Sequence, residues 1–176
     1  MTEFELQHRA EKIFKDSKYT FVLCSSTNVD RIAVLHKATL KANKLFICDD
    51  YQKDILMYID SISRSSLYKF RGKVLSYDNN ILKLMQDRGF VMLVRYNYIS
   101  QIVMKQFPKS TFVYSQYEGY LDERFKEYEG LQKFVPKDYT YLHCSGHASM
   151  GAIEKIIDTV DPDIVIPIHR YRPSYD

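Results

Sequence analysis

The stretch that decides the fold is Tyr139-Thr140-Tyr141-Leu142-His143-Cys144, followed by a helical pattern at 150–160 and by the apolar run Ile164-Val165-Ile166-Pro167-Ile168. Both runs have the composition of strands. Between them, apolar residues repeat at the i, i+3, i+4, i+7 spacing from Ile153 to Val160, which indicates one buried face of a helix. Asp161-Pro162 ends this helix, because proline cannot continue it. The helix returns the chain, so that the two strands can lie side by side.

The same alternation of short apolar runs and helical patterns extends upstream to the beginning of the chain. The strand candidates are Tyr19–Cys24, Leu45–Cys48, Lys73–Leu75, Phe90–Arg95 and Thr111–Ser115. The helix candidates are an amphipathic N-terminal segment, Val29–Ala42, Tyr51–Ile62, Asn80–Arg88 and Ile99–Gln106. Nearly continuous apolar strands separated by helices are typical of a parallel sheet that is covered on both faces. The sequence therefore predicts an α/β fold with a parallel, doubly wound sheet.

Composition excludes several classes of protein. The 176 residues are 45% hydrophobic and 27% charged with a net charge of +3, which is ordinary for a soluble globular protein of about one domain. No apolar run approaches the roughly 18 residues of a transmembrane helix, and the N-terminus lacks the pattern of a signal peptide. The three cysteines show no C-x-x-C spacing, so we expect reduced thiols in a cytoplasmic protein.

Aromatic usage is lopsided, with fifteen tyrosines and no tryptophan. Tyrosine rings can stack on nucleobases. Half-buried packing is the simpler explanation, and the sequence leaves both open.

Ligands of open α/β sheets bind beyond the carboxyl ends of the strands. The first strand is followed by Ser25-Ser26-Thr27-Asn28, whose polar side chains at a helix start can hold a phosphate. Capping of the helix by Asn28 or Thr27 is the simpler alternative. After the second strand, Asp49 and Asp50 complement the helix dipole or, less simply, bind a metal.

Two histidines mark the carboxyl edge near the end of the chain. His147 follows Ser145-Gly146, where glycine lets the backbone approach a ligand closely, and His169 ends the next strand. We expect the two histidines to share one site, with His147 able to contact a phosphate or protonate a leaving oxygen. Cys144 is disfavoured as a nucleophile, because its side chain should alternate into the packing. The same alternation argues against a structural zinc that combines Cys144 with the neighbouring histidines.

Three segments together resemble metallo-β-lactamase-fold hydrolases of the β-CASP type, the ribonuclease J and cleavage-factor nucleases. Ser145-Gly146-His147-Ala148, a helix and Ile164–His169 resemble the closing segment of that family. Ser25-Ser26-Thr27-Asn28-Val29-Asp30-Arg31 is similar to the serine and asparagine turn inside the β-CASP insert. Tyr114-Ser115-Gln116-Tyr117-Glu118-Gly119-Tyr120 is similar to the segment where the insert returns to the hydrolase core. Their order and spacing agree over most of the chain.

The resemblance implies roles for individual residues. His147 would lie near the scissile phosphate as a general acid, and His169 would bind one of two metal ions, normally zinc. Ser145 and Gly146 would contact phosphate. Ser25, Ser26, Thr27 and Asn28 would line a cleft that faces RNA.

The chain departs from the family pattern in its metal ligands. The family builds its metal centre mainly from a His-x-His-x-Asp-His motif upstream of the insert, and this sequence contains no such motif. His8 and His36 lie in helical patterns, where we expect surface residues. We therefore expect a C-terminal portion of a larger enzyme, with a β-CASP-like domain at 1–128 and a piece of the metallo-β-lactamase αββα core at 129–176.

The predicted function is that of a metal-dependent hydrolase, most simply a nuclease that cleaves RNA or DNA phosphodiesters and is inactive as an isolated chain. The alternative is a stand-alone nucleic-acid- or phosphate-binding module without catalysis. A small-molecule hydrolase of the same fold is a weaker possibility, since a fold does not fix a substrate. Exposed apolar strand edges also predict a homo-oligomer or strand exchange.

Overall fold

The computed structural model describes residues 2–146, 148 and 150–166. They belong to two compact units, one that ends at Cys144 and one that begins at Ser145. The domain boundary that we predict between residues 128 and 129 falls inside the first unit and stays a prediction. Across the described ranges, none of the helices combines the length and the apolar character that a membrane span requires.

The first unit contains a six-stranded sheet and six helices within its described residues, and one helix is described in the second unit. The strands are β1 (Tyr19–Leu23), β2 (Leu45–Cys48), β3 (Val74–Ser76), β4 (Phe90–Val94), β5 (Thr111–Tyr114) and β6 (Thr140–Tyr141). The helices are α1 (Glu3–Asp16), α2 (Val29–Lys41), α3 (Asp50–Ile62), α4 (Leu82–Arg88), α5 (Tyr98–Gln106), α6 (Glu129–Phe134) and, in the second unit, α7 (Met150–Val160).

All strand pairs of the sheet are parallel, and the strand order is β3-β2-β4-β1-β5-β6. This confirms the predicted α/β class with a parallel sheet. The chain runs from β1 towards β2 and β3, then reverses through β4 to β5 and β6. Because parallel crossovers are right-handed, the reversal moves the connecting helices to the opposite face of the sheet.

The two faces have separate cores. Val22 points to the face covered by α1, α2 and α3, whereas its neighbours Phe21 and Leu23 point to the face covered by α4, α5 and α6. This alternation follows from the two-residue period of a strand. Helices on both faces leave the ends of the strands as the open parts of the sheet, and the carboxyl ends carry the polar turns.

The expectation that His36 is a surface residue was wrong. Helix α2 contacts both α1 and the strand β2, and every residue from Arg31 to His36 is buried. The ring of His36 packs edge-on against Phe46 and Phe70. Burial, together with the charges of two nearby lysines, lowers the pKa of His36 to about 4, so the ring is neutral at neutral pH. His8, by contrast, is exposed as expected.

The predicted strands near the end of the chain are shorter than expected. The run Tyr139–Cys144 contributes only Thr140–Tyr141 to the ladder, although the amide of Leu142 still donates to the carbonyl of Tyr114. Residues 164–166 are not in a strand, and the rest of that predicted strand lies outside the described residues. A strand requires a hydrogen-bonded neighbour, and an apolar run alone does not supply one.

Candidate functional site

The turns that follow β1, β4 and β5 line one cleft at the carboxyl edge of the sheet. Its volume is about 500 Å³, which is within the range of ligand pockets. Its polar lining includes Ser25, Ser26, Arg95, Gln116 and Glu127. The crossovers from β1 and from β5 leave in opposite directions, so the cleft lies at the point where ligands of open α/β sheets bind.

The turn Ser25–Asn28 is divided between binding and capping positions. Ser25 and Ser26 line the cleft, whereas Thr27 and Asn28 line a second depression beside α3. The side chain of Asn28 accepts a hydrogen bond from the amide of Arg31 (3.1 Å) and caps α2. The hydroxyls of Ser25 and Thr27 are 3.0 Å apart and hydrogen-bonded to each other. Capping thus accounts for Asn28, and the two serines are the members that face the cleft.

Gln52 orients the hydroxyl of Ser26. Its side chain is 1% exposed, and Nε2 donates to Ser26 Oγ at 3.2 Å. An oxygen that accepts this bond keeps its own proton for another acceptor, so Ser26 can donate to a phosphate oxygen in the cleft. Gln52 Oε1 is buried without a hydrogen-bond partner among the described residues. Such a group is costly in a core, which indicates that the position serves the turn rather than the packing.

Arg95 directly follows β4 and supplies the positive charge of the cleft. Its Nε donates to Asp49 Oδ2 at 2.6 Å, and its Nη2 lies 2.5 Å from the same oxygen. The guanidinium also lies over the ring of Tyr51, 4.6 Å from the centroid. A guanidinium has five N–H groups, so three of them have no bond to any described residue. Its side chain is 37% exposed. Arg95 is therefore oriented yet still able to bind an anion.

Arg31, in the first turn of α2, is buried beneath the same edge of the sheet. Its Nε donates to both carboxylate oxygens of Glu3 (3.0 and 2.9 Å), and Nη1 donates to Ser115 Oγ (2.8 Å). Its Nη2 donates to Glu3 Oε1 (2.8 Å) and to the carbonyl of Cys144 (2.9 Å). Only 1% of the side chain is exposed. This cluster, the Arg31 hub, joins α1, α2, β5 and the segment after β6.

The carboxylate of the Arg31 hub is held in place by the start of α1. Thr2 and Glu5 form a capping box that fixes the first turn, where Glu3 is located. Partial burial raises the pKa of the Glu3 carboxyl, but hydrogen bonds from Arg31 and Cys144 and the charge of Arg31 outweigh it, so the net pKa is lowered. Glu3 is ionised at neutral pH and compensates the buried guanidinium.

His143 and Cys144 border the Arg31 hub. His143 Nδ1 lies 3.3 Å from Arg31 Nη1 and 3.3 Å from the carbonyl oxygen of Ser115, and burial and the charge of Arg31 lower the pKa of His143. Cys144 is buried, and its thiol donates to Glu3 Oε1 at 3.1 Å. Burial and that bond raise the pKa of Cys144, so the thiol stays protonated. A protonated, buried thiol is a poor nucleophile, which agrees with the sequence-based argument against this role.

The remaining predicted site residues belong to the second unit. Ser145 and Gly146 are exposed. His147 and His169 lie outside the described residues, so their roles as general acid and metal ligand stay predictions. The described ranges contain no group of three or more His, Cys, Asp or Glu side chains able to hold a metal ion, and His169, the zinc ligand that the resemblance implies, is not among the described residues.

Sequence reasoning missed Arg31 as a buried hub, and Arg95 and Tyr96 as cleft residues. The last two had a usable signal, because they directly follow an entirely apolar strand and the carboxyl-edge rule applies to every strand of the sheet. Arg31 had none, since an arginine in the first turn of a helix is ordinarily exposed.

No protein-family model matches the sequence, and no curated protein is similar enough to count as a match.

Proposed function

We propose that this chain is part of a metal-dependent hydrolase of the β-CASP, metallo-β-lactamase-fold type, and that its first unit holds the phosphate backbone of an RNA or DNA substrate. By the resemblance, cleavage would need His147 as general acid and a zinc centre. His169 would be one ligand of that centre, and the other ligands would not come from this sheet.

One observation carries the proposal. Ser25 and Ser26 come from one segment of the resemblance, Gln116 comes from another some 90 residues later, and all three line the same cleft. Arg95 adds a guanidinium with three N–H groups available, and guanidinium pairs well with phosphate oxygens. Hydroxyl, amide and guanidinium donors are the groups that typically contact nucleic-acid backbones, and this cleft contains all three.

The test is the affinity of the chain for a labelled single-stranded RNA oligonucleotide, measured by fluorescence anisotropy beside an abasic sugar-phosphate oligomer of equal length. We expect both oligomers to bind, because backbone contacts do not need bases. Replacing Ser25 and Ser26 together by alanine should weaken both by about 100-fold or more, since two charge-assisted hydrogen bonds of at least about 1.5 kcal/mol each are lost. Ser61→Ala, an exposed serine in the last turn of α3, is the matched control and should leave both affinities unchanged.

Binding of neither oligomer by the wild-type chain would overturn the proposal. Equal affinities for the wild type and the double-serine variant would show that the cleft is not where the backbone binds.

A further inference from the structure

Two tyrosines of the cleft have no part in the proposed backbone binding. Tyr96 and Tyr128 both line the cleft. The ring of Tyr128 lies 4.9 Å from that of Tyr120, which in turn lies 5.6 Å from Tyr117. We call these four residues the tyrosine wall. Tyr96 follows β4, and the other three tyrosines lie in the irregular segment between β5 and α6.

Two glycines make room for rings of the tyrosine wall. A Cβ atom on Gly130 would lie 2.1 Å from the hydroxyl oxygen of Tyr96, and one on Gly119 would lie 2.2 Å from the ring of Tyr117. Neither glycine has a positive φ, so the need is for space and not for backbone freedom. The rings of Tyr96 and Tyr117 thus pack directly against the backbone of these two glycines.

Packing alone does not explain the tyrosine wall. Tyr114, on β5, is fully buried and its hydroxyl donates to the carbonyl of Tyr117, as expected of a core tyrosine. Tyr96 is 55% exposed and Tyr117 is 63% exposed. Rings that pack against backbone and remain more than half exposed are accessible to a ligand.

We propose that the tyrosine wall is a nucleobase-stacking subsite, in which Tyr96 and Tyr128 take one unpaired base of the bound strand. The inference rests on the proposed function, because the serines and Arg95 would hold the adjoining phosphate. Every base has a π face, so stacking does not require a particular sequence. The volume of about 500 Å³ suits a single nucleotide, and Glu127, which accepts but does not donate when ionised, suits an exocyclic amino group.

The test compares Tyr96→Leu with Tyr96→Phe, because phenylalanine keeps the ring and leucine removes it. For the RNA oligonucleotide, Tyr96→Leu should weaken binding about 5- to 100-fold, the range for loss of one base-stacking contact, whereas Tyr96→Phe should bind like the wild type. Neither variant should alter the affinity for the abasic oligomer. Tyr58→Leu, an exposed tyrosine on α3, is the control for the loss of a surface ring.

Gly130→Ala provides an independent variant, because its Cβ must displace the Tyr96 hydroxyl. We expect it to weaken RNA binding and to leave abasic binding unchanged, with urea unfolding confirming that the variant is folded. A 2-aminopurine in the RNA should lose fluorescence on binding the wild type and not on binding Tyr96→Leu.

Equal RNA affinities of Tyr96→Leu and the wild type, while the abasic oligomer still binds, would overturn the subsite and keep the proposed function. Binding of adenosine monophosphate as tightly as the oligonucleotide, with the same dependence on Tyr96, would support the subsite and overturn the proposed function. If the wild type binds neither oligomer, the subsite and the proposed function are both overturned.

Discussion

Two arginines at one edge of the sheet have opposite surroundings. Arg31 is 1% exposed, and all three of its nitrogens are bonded to protein atoms, with a carboxylate beside them. Arg95 is 37% exposed, shares one carboxylate oxygen and keeps three N–H groups for a ligand. The same side chain is thus a structural group in one place and a binding group in the other. Burial and bond count, and not the presence of a positive charge, separate the two roles.

The largest expected effect is on stability, from Arg31→Ala. The substitution leaves Glu3 facing a partly buried site without its cation and removes bonds to Ser115 and Cys144. Breaking a buried pair typically costs about 3–5 kcal/mol of the free energy of unfolding. Urea unfolding followed by circular dichroism measures it. A loss below about 1 kcal/mol, the value of a surface pair, would contradict the structural role.

Glu3→Gln should cost less, about 2–3 kcal/mol at neutral pH, because the buried guanidinium of Arg31 loses its counter-charge but keeps one acceptor on glutamine. The pKa of Glu3 is lowered in the folded protein, so the ion pair contributes fully above the usual carboxyl pKa near 4.5. The contribution disappears as the pH falls through the lowered pKa.

The difference in unfolding free energy between wild type and Glu3→Gln should therefore shrink towards zero in acid. A difference that stays constant from neutral pH to the acid limit would show that the charge of Glu3 is not what Arg31 requires.

The smallest effect on stability is expected from Gln52→Leu. It removes a buried oxygen that lacks a partner, so the free energy of unfolding should change by less than about 1 kcal/mol. Ser26 loses the bond that orients its hydroxyl, and RNA affinity should fall about threefold, as for a neutral hydrogen bond. Titrating the labelled oligonucleotide measures this loss, and an unchanged affinity would exclude a positioning role for Gln52.

The fold follows closely from local pattern. Strand β2 and helix α7 have the predicted bounds, because apolar runs and helical periodicity are local properties. His36 shows the limit, since the pattern of α2 does not reveal that Phe46 and Phe70, which are distant in the sequence, cover its ring. The Arg31 hub shows this limit of local sequence pattern more strongly. Glu3, Ser115 and Cys144 are far apart in sequence, and only the arrangement of the strands brings them to one guanidinium.

Only part of the candidate site could be predicted from the sequence. Ser25 and Ser26 were predicted from their position after β1, and the structure places both in the cleft. Asn28 also has a short polar side chain and lies in the same turn, yet it caps α2. Choosing between the two uses needs the direction of each side chain, which is set by the turn and not by residue type.

The most direct test of the comparison is the salt dependence of RNA binding for Arg95→Ala. Arg88→Ala, an exposed arginine just before β4 begins at the opposite edge of the sheet, is the matched control. We expect Arg95→Ala to weaken binding about 10-fold and to lower the slope of log K against log salt by about 0.7, the value for one lost phosphate contact on a single strand. Arg88→Ala should reproduce the wild-type line. Coincident lines for Arg95→Ala and the wild type would contradict the account, because the cleft would then hold no phosphate.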